Sequence, residues 1–238
     1  MSTTSGGPNI TTNGLILNLD VANLNSYPGS GTVWADTKQN LIFNSQGTQT
    51  PLTTFGGARA FDFNGSGYWT CSTNSSLIDL GGDFTLNMWF YCETLPSRNT
   101  IFEKAGTSYA SYQQEIAVTW ETDNSFSYYS RYSPEYDFAF VYGITVNKWN
   151  LVSFKVSSGK STTARTGFYS VNGVPYISSY TSRSNTAVLP SGEIRIGTGY
   201  SGTVTNGGIA IVQIYNKMFT DSEILTNFNS MKSRFGLP

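Results

Sequence analysis

The residues best equipped for chemistry in this chain fall within one short stretch. Trp120, Tyr128, Tyr129, Tyr132 and Tyr136 supply aromatic rings, and Asn124 and Arg131 lie among them. A sugar presents C–H patches and hydroxyls together, so rings flanked by amide and guanidinium groups suit a glycan. Exposed aromatics and arginine also mark protein interfaces. Alternation along a strand accounts for Trp120, Tyr128 and Tyr132 as sheet-facing residues. Tyr129, Tyr136, Arg131 and Asn124 remain as candidate glycan or partner contacts.

Other chemistries are thinly provided for. The 238 residues contain no histidine, which removes the commonest general acid/base, the usual zinc ligand and any Ser-His or Cys-His nucleophile pair. No cofactor is expected. Asp20, Asp36, Asp62, Asp79 and Asp83 offer oxygen ligands for calcium, but Asx turns and strand-end caps explain them equally well. Cys71 and Cys92 read as buried thiols, with a cross-strand disulfide as the alternative. Charged residues make up 12% of the chain and the net charge is −1, which provides no electrostatic footprint for nucleic acid. The start, Met1 to Pro8, has neither a basic segment nor an apolar run, so no secretion signal is expected, and no stretch has the length of a membrane span.

The elements that must position these residues are mostly strands. Residues 1–13 are polar and read as a flexible arm, and 14–238 as one domain. Leu15, Leu17 and Leu19 alternate, as do Phe84, Leu86, Met88, Phe90 and Cys92. Ile116, Val118 and Trp120 predict one arm of a hairpin turning at 121–124, and Phe126, Tyr128 and Tyr132 the other. Asn172-Gly173 is the preferred pair for a two-residue hairpin turn. In the segment 207–215, Ala210, Val212 and Ile214 fall on one face and Ile209, Ile211 and Tyr215 on the other, so the strand is apolar on both. Ile209 and Ile211 must be covered, first by the chain's own C-terminal helix and otherwise by a partner subunit. That helix is predicted over 220–233, with Thr220 and Glu223 forming a capping box, Ile224, Leu225, Phe228 and Met231 its apolar stripe, and Gly236 its stop. Short strands, Gly-rich turns and one late helix define an all-β, antiparallel two-sheet sandwich.

The order of these landmarks resembles the laminin-G-like branch of the concanavalin A-like lectin/glucanase superfamily. The resemblance rests on Gly14-Leu15-Ile16-Leu17-Asn18-Leu19-Asp20, Ala60-Phe61-Asp62-Phe63-Asn64-Gly65, Phe84 through Phe90, Lys148-Trp149, Val171-Asn172-Gly173 and Ile194-Arg195-Ile196-Gly197. The loop Ser26-Tyr27-Pro28-Gly29-Ser30-Gly31-Thr32, with Gly7-Pro8-Asn9-Ile10 and Arg234-Phe235-Gly236-Leu237, is similar to versions of the domain in phage and large-virus virion proteins. The resemblance implies a jelly roll whose rim loops hold glycans or calcium in some members. It resembles the superfamily's glucanases less well. Their Glu-x-Asp-x-x-Glu strand begins at Glu121-Thr122-Asp123 and at Glu135-Tyr136-Asp137, yet Phe126 and Phe140 stand where the second glutamate is needed. A calcium site is in doubt too, because Ala210 replaces the acidic residue that many relatives carry in the last strand.

The expectation is therefore a non-enzymatic virion structural protein: a capsid decoration, minor capsid or tail/fibre component, made in the host cytoplasm. Its partners would be capsid or tail proteins, with homo-oligomerisation possible in principle. The alternatives are a carbohydrate-binding module for a host-surface glycan and, least favoured, a glucanase-like hydrolase.

Overall fold

The computed structural model describes residues 9–48, 52–65, 67–80, 82–93, 99–105, 113–122, 125–132, 135–141, 143–157, 166–176, 192–199 and 206–238. Its strands are β1 (Leu15–Asp20), β2 (Val33–Ala35), β3 (Ile42–Gly47), β4 (Leu52–Phe55), β5 (Ala58–Asn64) and β6 (Gly67–Cys71). There follow β7 (Phe84–Cys92), β8 (Asn99–Ala105), β9 (Gln113–Trp120), β10 (Phe126–Tyr132) and β11 (Glu135–Val141). Last come β12 (Trp149–Ser157), β13 (Thr166–Val171), β14 (Val174–Tyr176), β15 (Glu193–Ile196), β16 (Asn206–Tyr215) and helix α1 (Asp221–Met231), with a 3-10 turn at Lys232–Phe235.

The strands make two antiparallel sheets, as the alternation predicts, in the jelly-roll sandwich that the resemblance implies. Sheet A runs β14-β13-β12-β7-β16-β5-β4, with β1 also on β16, and sheet B runs β11-β10-β9-β8-β15-β6-β3-β2. Leu86, Met88 and Phe90 of β7 meet Ile116, Val118 and Trp120 of β9 in the core between the sheets. Each such side chain contributes about 1.5–3 kcal/mol by leaving water. Tyr27, Trp34, Phe61 and Trp69 pack edge-on and tilted at one part of this core, with centroids of neighbouring rings 4.6–6.0 Å apart. The two predicted hairpins are present. Phe126 pairs with Trp120 across β9–β10, and Asn172 and Gly173 turn β13 into β14 with φ of 52° and 80°.

The last strand is central. It pairs with β7 on one side, and on the other with β5 at its start and β1 at its end, where Leu17 faces Ile214 and Leu19 faces Val212. Its faces differ from strict alternation because a bulge lies between Ile209 and Ile211, which pair with Phe90 and Trp89. One extra residue reverses the parity of what precedes it. Ile209 thus joins Val212 and Ile214 in the inter-sheet core, while Ala210 and Ile211 face outward among Trp89, Trp149 and Phe235. Both isoleucines are fully buried by the chain itself, so the expected partner contact through them is corrected.

The cover on Ile211 is the C-terminal segment. Thr220 and Glu223 form the predicted capping box. Phe235 stacks on Trp89 at 4.0 Å, Phe228 stacks on the same indole at 6.0 Å, and Arg234 holds Asp20 through two hydrogen bonds of 2.8 and 2.7 Å. Gly236, with φ of 66°, ends the turn. Leu225 departs from the predicted stripe and is exposed, beside the β13–β14 turn. Within the segment read as an arm, Thr11 donates its N–H to Asn227 Oδ1 of α1 at 2.8 Å. Cys71 and Cys92 are free and buried, and burial pushes the Cys71 thiol up to about 11 and that of Cys92 well above its usual value.

Candidate functional site

The outer face of sheet B gathers polar side chains around β15. Ile194 and Ile196 turn into the core, so Glu193 and Arg195 turn out. Arg195 donates from Nε to Glu193 Oε2 at 2.8 Å, and its Nη2 lies 2.6 Å from the same oxygen. Thr70 Oγ1 donates to Glu193 Oε1, and the Arg195 guanidinium lies 5.8 Å from the Tyr68 ring centre. The two charged side chains keep 18% and 22% of their surface in contact with solvent, Tyr68 is half-buried and Asn44 is exposed. The Glu193 carboxylate balances the guanidinium charge, and the pair presents hydrogen-bond donors and acceptors side by side.

Register continues this group in rows across the sheet, through Glu103, Ala105 and Ala117, which are buried. Asn44 pairs with Thr70, Thr70 with Arg195, Arg195 with Glu103, Glu103 with Ala117, Ala117 with Tyr129 and Tyr129 with Phe138. A second row runs from Glu193 through Ala105 and Gln114 to Arg131 and Tyr136. Three of the residues picked from the sequence, Tyr129, Arg131 and Tyr136, therefore occupy positions on the two rows that hold Arg195 and Glu193. Asn124 lies outside the described residues. Glu193, Arg195, Thr70 and Tyr68 escaped notice in the sequence, although Glu-x-Arg flanking alternating isoleucines is a legible signal of an outward charged pair.

The remaining acids do other work. Glu121 sits at the β9–β10 turn, with its N–H on Ser125 O at 2.8 Å and its carboxylate accepting from Ser127 Oγ. Asp36 accepts from the N–H groups of Asn18, Lys38 and Gln39 at 2.6–3.1 Å, as a turn-forming aspartate does. Asp62 pairs with Gly208 across β5–β16, and burial raises its carboxyl above the ordinary range. Burial, and then the charge of Asp62, raise Glu93 likewise. Among the described residues no group of three or more His, Cys, Asp or Glu side chains is placed to hold a metal ion. No helix among them is long and apolar enough to cross a membrane.

A two-sheet antiparallel jelly roll defines a lectin-like class of domain. The chain belongs to the concanavalin A-like lectin/glucanases superfamily, whose pattern matches residues 63–225. A search of curated proteins by sequence finds no match. Among solved structures, Trypanosoma rangeli sialidase superposes with a TM-score of 0.66 at 18% identity, over 94% of this chain and 34% of the sialidase. Domain 4 of AbnA, an extracellular arabinanase from Geobacillus stearothermophilus solved with arabinotriose, gives 0.62 at 16% identity, over 89% of this chain and 96% of that domain. The binding domain of Botulinum neurotoxin DC in complex with rat synaptotagmin II gives 0.68 at 15%, over 92% and 52%. The chain spans about a third of the length of the sialidases it resembles.

These likenesses are of fold. They overturn the virion role expected from the loop segments: the structures that share the fold here are a sialidase, a domain of an arabinanase and the binding domain of a toxin.

Proposed function

We propose that this chain is a non-catalytic carbohydrate-binding module, with its site on the outer face of sheet B. The observation that carries the reading is the register that aligns Tyr129, Arg131 and Tyr136 with Arg195, Glu193 and Thr70. Vicinal hydroxyls fit the Arg195–Glu193 pair, which offers donors and acceptors side by side, and tyrosine rings suit the C–H face of a sugar. The Arg195–Glu193 pair carries no net charge, which favours a neutral sugar over an acidic one. The arabinanase domain solved with arabinotriose supports the same reading by its fold. Catalysis is not expected, because both Glu193 oxygens are already engaged, one by Thr70 and one by Arg195, rather than facing a second carboxylate across a scissile bond.

A glycan array probed with the full chain, including neutral arabino-oligosaccharides and sialylated glycans, tests the proposal. Binding of neutral oligosaccharides that falls about tenfold or more in Arg195→Ala and in Tyr129→Ala is the expected result. An array without hits, or hits untouched by both substitutions, would refute it.

A further inference from the structure

A cavity of about 390 Å³ lies on the other side of the sandwich, between β12–β14 of sheet A and the start of α1. Phe168, Pro175, Met218 and Phe219 give it apolar walls, and Lys155 and Asp221 stand at its polar end. Its size is in the range of small-molecule sites. The wall at Phe219 is fixed from below, since Thr85 Oγ1 donates to Lys217 O and accepts from the Phe219 N–H, both at 2.9 Å.

The ion pair at the polar end is lopsided. The Lys155 side chain is 7% exposed and its ammonium lies 5.6 Å from the Phe168 ring centre, whereas its partner Asp221 is 62% exposed. An ammonium buried against an aromatic wall needs an anion beside it. Asp221, on the solvent side, can exchange that place for water at little cost, and at the first position of α1 its charge still faces the positive helix end. Outside the cavity lining, the same face of the sheet stays polar. Lys155 pairs with Phe168, and two residues further along the same strands Ser153 pairs with Ser170 and with Asn87. These three side chains are buried, and the Ser153 and Ser170 hydroxyls and both amide atoms of Asn87 have no hydrogen-bond partner among the described residues. They do not line the cavity, so Lys155 is the group there that meets an anion.

We infer that this cavity binds a small organic anion, a carboxylate on an apolar body, which displaces Asp221 from Lys155 and lies between Phe168, Pro175, Met218 and Phe219. The site is independent of the sugar-binding face, which belongs to the other sheet.

The test is a titration of the full chain, followed by heteronuclear NMR, with benzoate and hexanoate and with benzamide and hexanamide as uncharged counterparts. The carboxylates are expected to shift signals of the β12–β13 strands and the 217–221 segment, with the amides weaker by about tenfold or more, the factor for one charge-assisted hydrogen bond. Lys155→Met should remove carboxylate binding. Asp221→Asn should tighten it by about threefold to tenfold, because the internal competitor is gone. Met218→Trp, which fills the cavity and keeps the ion pair, should abolish binding and serves if Lys155→Met does not fold. Equal binding of acid and amide, weaker binding in Asp221→Asn, unchanged binding in Met218→Trp, or no carboxylate binding up to about 100 mM would each overturn the inference.

Discussion

Each sheet of the sandwich carries a row of polar side chains on its outer face, and the two rows have opposite fates. On sheet A, Asn18, Gln213, Asn87, Ser153 and Ser170 follow one another in register. Helix α1 lies over them, touching Trp89, Tyr215 and Gly173 around the row, and the last four are no more than 2% exposed. One end is satisfied, since Gln213 Nε2 donates to Asn18 Oδ1 at 3.0 Å and Asn227 Nδ2 donates to Tyr215 Oη at 3.0 Å; the other end is not. On sheet B Thr70, Glu193 and Arg195 satisfy one another, and the two charged side chains keep contact with solvent, although Glu103 beside them is buried. A buried polar row without partners is a stability burden of about 1–3 kcal/mol per group, while a self-satisfied row at the surface is free to bind. What separates them is the C-terminal cover.

Breaking that cover should have the largest effect. Phe235→Ala removes the ring stacked on Trp89 and tilted 4.7 Å from Trp149, and urea denaturation should show a loss of about 3–4 kcal/mol. Sugar binding per folded molecule should not change. A loss below about 1 kcal/mol would mean that the segment is not what seals sheet A.

Smaller substitutions sharpen the contrast between the rows. Asn87→Leu replaces two unpaired buried atoms with an apolar group of similar shape, so stability should hold or rise by about 1 kcal/mol. Thr70→Val on sheet B removes the hydroxyl that holds Glu193 and should lower stability by about 1 kcal/mol. If the signs are reversed in thermal melts, ordered water rather than dry protein fills the space beside Asn87.

The smallest effect is a pH dependence at the rim of sheet A. Asp62 and Glu93 hold protons to higher pH in the fold than in the unfolded chain, so protonation favours the folded state. The stability they allow is complete below the ordinary carboxyl range and is lost as pH rises through their raised values. Asp62→Asn should therefore raise the melting temperature at pH 7 by no more than about 2 °C, given solvent screening, and leave it unchanged at pH 3. An equal gain at both pH values would show that charge is not the cause.

Much of the architecture was legible in residue order. Leu15-Leu17-Leu19 and Phe84 through Cys92 alternate cleanly because one face is buried, and Thr220 with Glu223 announces a helix start through chemistry local to one turn. The candidate site was only half legible. Tyr129 and Tyr136 stood out by exclusion from the core parity, with Arg131 beside them, but Thr70, Glu193 and Tyr68 belong to strands more than 50 positions away in the chain, and nothing local links them.

The sequence by itself determined the fold class, the helix cap, the β9–β10 and β13–β14 hairpins and the lack of histidine chemistry, because each depends on residues within a few positions of one another. Tertiary structure alone decided the rest. The bulge after Ile209, which sends Ile209 inward and Ile211 under Phe235, depends on how β16 meets β7. The joining of Glu193 and Arg195 with Thr70, and the burial of Asn87, Ser153 and Ser170, depend on strand order and on what lies above the sheet. Strand register sets these neighbours, and register is a property of paired strands, not of one strand's own residues.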